Sequence, residues 1–194
     1  MITWKLSGKL AISMLPIVAA AVLMATNNPL VVRMQGPCDP ATFNAAVGPG
    51  TCKSGENILP GHITFPHFIA ELTAAQKVGA WLFSPADGTL APGTVLSLEN
   101  RAGETHTFTK VKEFGGGFIA PLNALSGNPV PAPECATATV GGLIPKPESP
   151  SNQFVEAGTT ETGPTAGTSI LPSGTKTKFQ CCIHPWMRTE LTVK

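Results

Sequence analysis

The chain has 194 residues and a formal net charge of +1, with 42% apolar and only 13% charged residues. That is long enough for one domain with a real core, and it offers no basic stripe for a nucleic acid. Gly (20) and Pro (19) make about a fifth of the chain; helix interiors tolerate neither well, so the composition points to a β-rich fold with many turns.

Residues 1–25 have the features of an export signal. Lys5 and Lys9 form a basic start, and Leu10 to Ala25 (LAISMLPIVAAAVLMA) carries no charge. Its 16 residues, Pro16 among them, are fewer than the roughly 20 of a membrane span and suit the apolar region of a signal peptide. An uncleaved anchor is the alternative, and only then is a membrane a partner. Loss of Lys5 and Lys9 takes the formal charge from +1 to −1. Residues 26–194 are expected to form a single domain, periplasmic or otherwise extracytoplasmic.

Residues 26–60 look like a polar N-terminal extension, bracketed by Cys38 and Cys52. A bond between these two would close a 15-residue loop and contribute about 3 kcal/mol in the chain-entropy model; pairing with Cys135 is equally compatible. Residues 66–79 (PHFIAELTAAQKVG) predict one short helix, started by Pro66, stopped by Gly79, with Phe68, Leu72 and Ala75 on one face. Strands are expected over 80–84, 94–99 and 105–112, with turns at Asp87-Gly88 and Pro92-Gly93, and a further short strand over 118–122. Residues 123–172, rich in Gly, Pro, Ser, Thr and Ala, suggest a long insertion, partly disordered or wrapped on the surface. Residues 175–181 and 189–193 resume the strand pattern. The expected sum is a mostly β, antiparallel sandwich with one short helix and a long Gly/Pro-rich insertion.

Of the five cysteines, Cys38, Cys52, Cys135, Cys181 and Cys182, an odd one is left once disulfides form in an exported chain. Cys181-Cys182-Ile183-His184-Pro185-Trp186-Met187 places thiols, an imidazole and a thioether within seven residues, on a loop between two expected strands. Soft sulfur with imidazole suits copper in both oxidation states, and a trigonal His/His/Cys set with a weak axial Met is the blue-copper arrangement. That set needs one more imidazole, and His62, His67 and His106 are the candidates. His62 and His67 flank the expected helix and suit the surface. Met187 or His106 alone would pass for core residues; the joint spacing makes them candidate ligands.

The run Cys-x-x-His-Pro-Trp-Met resembles the ligand loop of the cupredoxins, the plastocyanin- and amicyanin-like type 1 blue copper proteins, in its short-loop form. Upstream, Trp81-Leu82-Phe83-Ser84-Pro85, then Pro92-Gly93-Thr94-Val95, then Asn100 and His106 are similar to the order of elements in plastocyanin-like domains. The likeness covers about residues 78–120 and 174–194. It implies a Greek-key β-sandwich that binds one copper ion through His106, Cys181, His184 and Met187. Cys181, three residues before His184, would be the thiolate, and strand alternation puts Thr177, Phe179 and Cys181 on the same face. Met187 would be axial and His106 the buried imidazole. His184 would be the electron port, its far edge reaching the surface through an apolar patch where redox protein partners dock. Thr107, Pro185 and Trp186 would surround the ligands, the Thr107 N–H bonding the Cys181 sulfur and Trp186 covering the loop. Glu104, beside His106, is expected to face solvent, the alternative being that it tunes the charge of that imidazole. Cys182 departs from the family pattern and is either bonded to Cys135 or free.

The implied role is an electron carrier, not an enzyme, with no small-molecule substrate. A copper oxidase would need a His adjacent to the ligand cysteine, whereas Cys181 is flanked by Gln180 and Cys182, and the chain has only four histidines. The alternatives are a copper storage or delivery module with the same ligands, and a metal-free β-sandwich interaction domain in which the cysteines form disulfides.

Overall fold

The computed structural model describes residues 29–162 and 173–194; the expected signal segment and residues 163–172 of the insertion lie outside the described residues. In chain order the elements are β1 (Leu30–Gln35), α1 (Pro40–Ala46), α2 (Phe65–Ala75), β2 (Leu82–Ser84), β3 (Asp87–Leu90), β4 (Leu96–Asn100) and β5 (His106–Val111). They continue with α3 (Ala120–Leu125), β6 (Ala136–Thr139), β7 (Gly142–Pro145), β8 (Asn152–Val155), β9 (Thr160–Thr162), β10 (Lys176–Gln180) and β11 (Arg188–Val193).

Two sheets carry the fold, one in the order β2-β1-β4-β9 and the other β3-β11-β10-β5-β8, with β6-β7 as a separate hairpin. The fold is mostly β, as expected, but the sheets are mixed. β1 runs parallel to β4, and β3 runs parallel to β11. A parallel pair needs a long crossover, and between β1 and β4 the chain supplies α1, α2, β2 and β3.

Three helices are described where one was expected. In α1, Pro40 occupies the first turn, and the Asp39 carboxylate caps the helix by accepting from the Thr42 backbone N–H at 2.9 Å. α3 stands where a strand was expected over 118–122, because Pro121 lacks the N–H a ladder needs and suits a helix start. α2 matches the expected helix, with Thr64 as its N-cap, but it stops earlier, at Gln76, whose φ of 57° is left-handed. The insertion is also more ordered than its composition suggests. β8 pairs with β5 and β9 pairs with β4, so each sheet gains an edge strand from it.

The core lies between the sheets. Val32, Met34 and Leu98 from one side meet Phe108, Phe179 and Leu191 from the other, and Phe108 stacks on Phe179 with ring centroids 4.3 Å apart. Each such side chain contributes about 1.5–3 kcal/mol when fully buried. A second cluster, Val111, Ala132, Cys135 and Cys182 with Phe114 and Phe118, joins the 111–135 stretch to the end of β10. Cys135 and Cys182 are disulfide-bonded there, Cys38 and Cys52 are bonded in the N-terminal extension, and Cys181 is free. Among the described residues, no helix is long and apolar enough to cross a membrane.

Candidate metal centre

β5 and β10 are antiparallel neighbours, so the start of β5 and the end of β10 share one end of the sheet. That pairing brings His106 beside Cys181. The Cys181–Met187 stretch forms a tight loop, because the Cys181 N–H donates to the Met187 carbonyl at 3.0 Å and the Met187 N–H to the His184 carbonyl at 2.9 Å. The loop is tethered further by Arg188, whose Nε donates to the Pro185 carbonyl at 2.8 Å and whose Nη2 donates to Asn128 Oδ1 at 2.6 Å.

The result is a cluster of three donors. Atoms of His106, Cys181 and His184 that could ligate a metal lie within 4.8 Å of one another, and all three residues are buried. His106 Nδ1 is 3.6 Å from Cys181 Sγ and 3.3 Å from His184 Nδ1. The Cys181 sulfur accepts backbone N–H groups from Thr107 and from His184, each at 3.4 Å. Met187 is fully buried in the same core cluster as Cys181. His62 and His67 are exposed and lie outside the cluster.

The electrostatics suit a cation. Burial pushes the His106 pKa down to about 3, and burial with the charge of His106 holds His184 well below the usual imidazole range. Both rings are therefore neutral at ordinary pH, with lone pairs to offer. Burial also raises the Cys181 thiol, against the N–H bonds from Thr107 and His184. A bound metal ion deprotonates a coordinating thiol outright, so a cation among these atoms would turn the neutral set into two imidazoles and a thiolate. Two imidazoles and one thiolate at this spacing fit copper by donor type.

The loop that carries His106 is held by the buried Asn100. Its Nδ2 donates to the carbonyls of Glu104 and Val155, both at 2.8 Å, and its Oδ1 accepts from the Ala102 N–H at 2.9 Å. Gly103 packs against the Cys38–Cys52 disulfide so closely that an added Cβ would sit 2.7 Å from Cys38 Sγ. Close approach, not an unusual φ, explains glycine at this position. The N-terminal extension thus supports the site.

Two expectations fail here. His184 does not reach the surface, being only 2% exposed, and its Nε2 faces Glu104 Oε2 at 3.7 Å. Glu104 does not face solvent either: it is 7% exposed, and its Oε2 accepts the Trp81 indole N–H at 2.7 Å. The reason is the pair of helices ahead of β2. α1 and α2 lay Phe43 and Phe68 over this end of the sandwich, with Phe68 6.2 Å from the His184 ring and 4.9 Å from Trp81. Trp186 completes the cover at 5.4 Å from His184. Burial raises the Glu104 pKa to about 7, opposed by the Trp81 bond. Sequence reasoning missed the Trp81–Glu104 pair, and the aromatic density of residues 65–83 is the signal that could have found it.

A two-sheet β fold with a buried His/Cys/His cluster at one end fits a type 1 copper site. The chain is similar to several solved structures of copper proteins. They include a purple cupredoxin from Nitrosopumilus maritimus, at 17% identity, covering 60% of this chain and 86% of that one, with a TM-score of 0.35. Auracyanin A, a blue copper protein from Chloroflexus aurantiacus, aligns at 17% identity over 58% of this chain and 89% of its own, with a TM-score of 0.33. Auracyanin from Roseiflexus castenholzii aligns at 16% identity over 58% of this chain and 87% of its own, with a TM-score of 0.30. Alignments this distant transfer no residue's role. No family model matches the chain, and no curated protein matches it.

Proposed function

We propose that the chain is an exported type 1 copper protein that carries single electrons between redox protein partners, in which His106, Cys181, His184 and Met187 would hold the copper. The observation that supports this most is the one free cysteine among five, buried with two imidazole nitrogens in one cluster. The four other cysteines are in disulfides, which suits an oxidising compartment.

Copper bound there would supply a one-electron couple. The chain's own residues do the rest. Burial of all three donors excludes water. The Thr107 and His184 N–H groups stabilise negative charge on the Cys181 sulfur and tune it. Asn100 and the two disulfides fix the backbone that carries the ligands, so the set changes little between oxidation states and reorganisation is small. Trp186, half-buried beside His184, offers the route by which a docked partner exchanges an electron. No substrate is transformed. Full burial of the donors favours an ion that stays over one handed on, which sets this reading above copper delivery.

The test is the visible spectrum of residues 26–194 with one equivalent of Cu(II) added. An intense thiolate-to-copper band is expected, lost in Cys181→Ala and kept in Cys135→Ala/Cys182→Ala. Folded protein with a reduced Cys181 and no band would overturn the reading.

A further inference from the structure

Between α1 and α2 on one side, and α3 with the Cys181–Met187 loop on the other, lies a cavity of about 270 Å³. Phe43, Phe65 and Phe68 line it from the first side, and Leu122, Leu125 and Ile183 from the second. Among its lining residues only Thr51, Glu104 and His184 are polar. An apolar cavity of about 150 Å³ already admits benzene, and small-molecule sites are apolar hollows with few converging polar groups.

Glu104 gives this hollow its chemistry. The side chain is nine-tenths buried, and its Oε2 is engaged by Trp81 and faces His184. Its Oε1 accepts no hydrogen bond among the described residues and keeps some accessible surface. A carboxyl oxygen is thus left open to an apolar hollow. That oxygen is a free acceptor, and a ligand that donates a hydrogen bond can fill it in place of water. Among the described residues no cationic side chain lines the cavity, so an anion has no counter-charge there. A cation would lie close to the metal, a point that rests on the copper reading. Three phenylalanine rings favour an aromatic occupant through edge and stacking contacts.

We propose that this cavity binds a neutral single-ring aromatic molecule carrying a hydroxyl or amine donor, a phenol by class. The ring packs on Phe43, Phe65 and Phe68, and the donor bonds Glu104 Oε1.

Methyl NMR tests this, on both metal-free and Cu(I)-loaded protein, with phenol and toluene as probes. Phenol is expected to give saturable shifts at Ile69, Leu122, Leu125 and Ile183, and toluene to bind about fivefold more weakly for want of one hydrogen bond. Leu125→Trp, which fills the hollow from α3, should abolish the phenol shifts. No saturable shifts with phenol at any of these methyls would overturn the site. Toluene binding as tightly as phenol would overturn the role of Glu104, and this comparison needs no variant. Copper loading is read separately from the visible band, so failure of the copper reading and failure of this one look different.

Discussion

The end of β10 separates two buried clusters of opposite character. On the inner face Cys181 is a free thiol beside two imidazoles that burial holds uncharged. On the outer face its neighbour Cys182 is bonded to Cys135, and several polar groups near it are paired. The Cys182 N–H donates to Thr107 Oγ1 at 2.7 Å, Thr109 Oγ1 donates to Asn152 Oδ1 at 2.7 Å, and Gln180 exchanges two bonds with Gly115, at 3.0 and 3.1 Å. One face gathers donors whose types suit a cation, and the other anchors the backbone that presents them.

The largest consequence is on the inner face and concerns acid. His106 has a folded-state pKa of about 3 against an ordinary 6.5, so between those values the unfolded chain binds more protons. Its contribution is complete above pH 6.5 and is lost as pH falls through 3. For His106 alone this is on the order of 5 kcal/mol, and His184 acts in the same direction. Urea unfolding of the copper-free protein should show a steep loss of stability on acidification through this window. A flat profile would mean that the rings are not buried neutral.

The outer face should behave differently. Removing its disulfide with Cys135→Ala/Cys182→Ala frees a link of sequence separation 47. The chain-entropy model gives a loss of about 4 kcal/mol. Because the histidines lie on the other side of the strand, the variant's stability should fall by the same amount at every pH. Unfolding curves at several pH values, compared with those of the unchanged chain, read this directly. An altered acid slope would show that the two faces are coupled.

The inner-face pattern was legible because it is local. Thr177, Phe179 and Cys181 alternate toward the core, and the spacing from Cys181 to Met187 sits on one loop. Strands β4, β5, β10 and β11 were legible from their alternation, to within two residues at their ends. What escaped depends on contacts distant in sequence. β1 and β3 are each paired in parallel with a strand far along the chain, and no turn signal joins a parallel pair. β8 and β9 are short edge strands whose composition resembles loop. The lid over His184 comes from residues 40–75, some 110 positions or more before it, so nothing near the ligand loop announces that its histidine is covered. Glu104 looked like a surface residue for the same reason.

Glu104 carries the smallest of these effects and the sharpest test of the inner face. Its folded-state pKa of about 7 stands above the ordinary 4.5, so between those values the folded chain binds more protons. Its contribution is complete below pH 4.5 and is lost as pH rises through 7, opposing the histidines. Glu104→Gln keeps the shape and an oxygen acceptor for Trp81 while removing the charge. In copper-free protein the variant should match the unchanged chain near pH 4 and exceed its stability by roughly 3 kcal/mol near pH 8. Its acid slope between these limits should be steeper, because the histidines then titrate unopposed. A variant no more stable than the parent at the higher pH would mean that the buried carboxylate is stabilised by partners other than Trp81, and the inner face would then resemble the outer one.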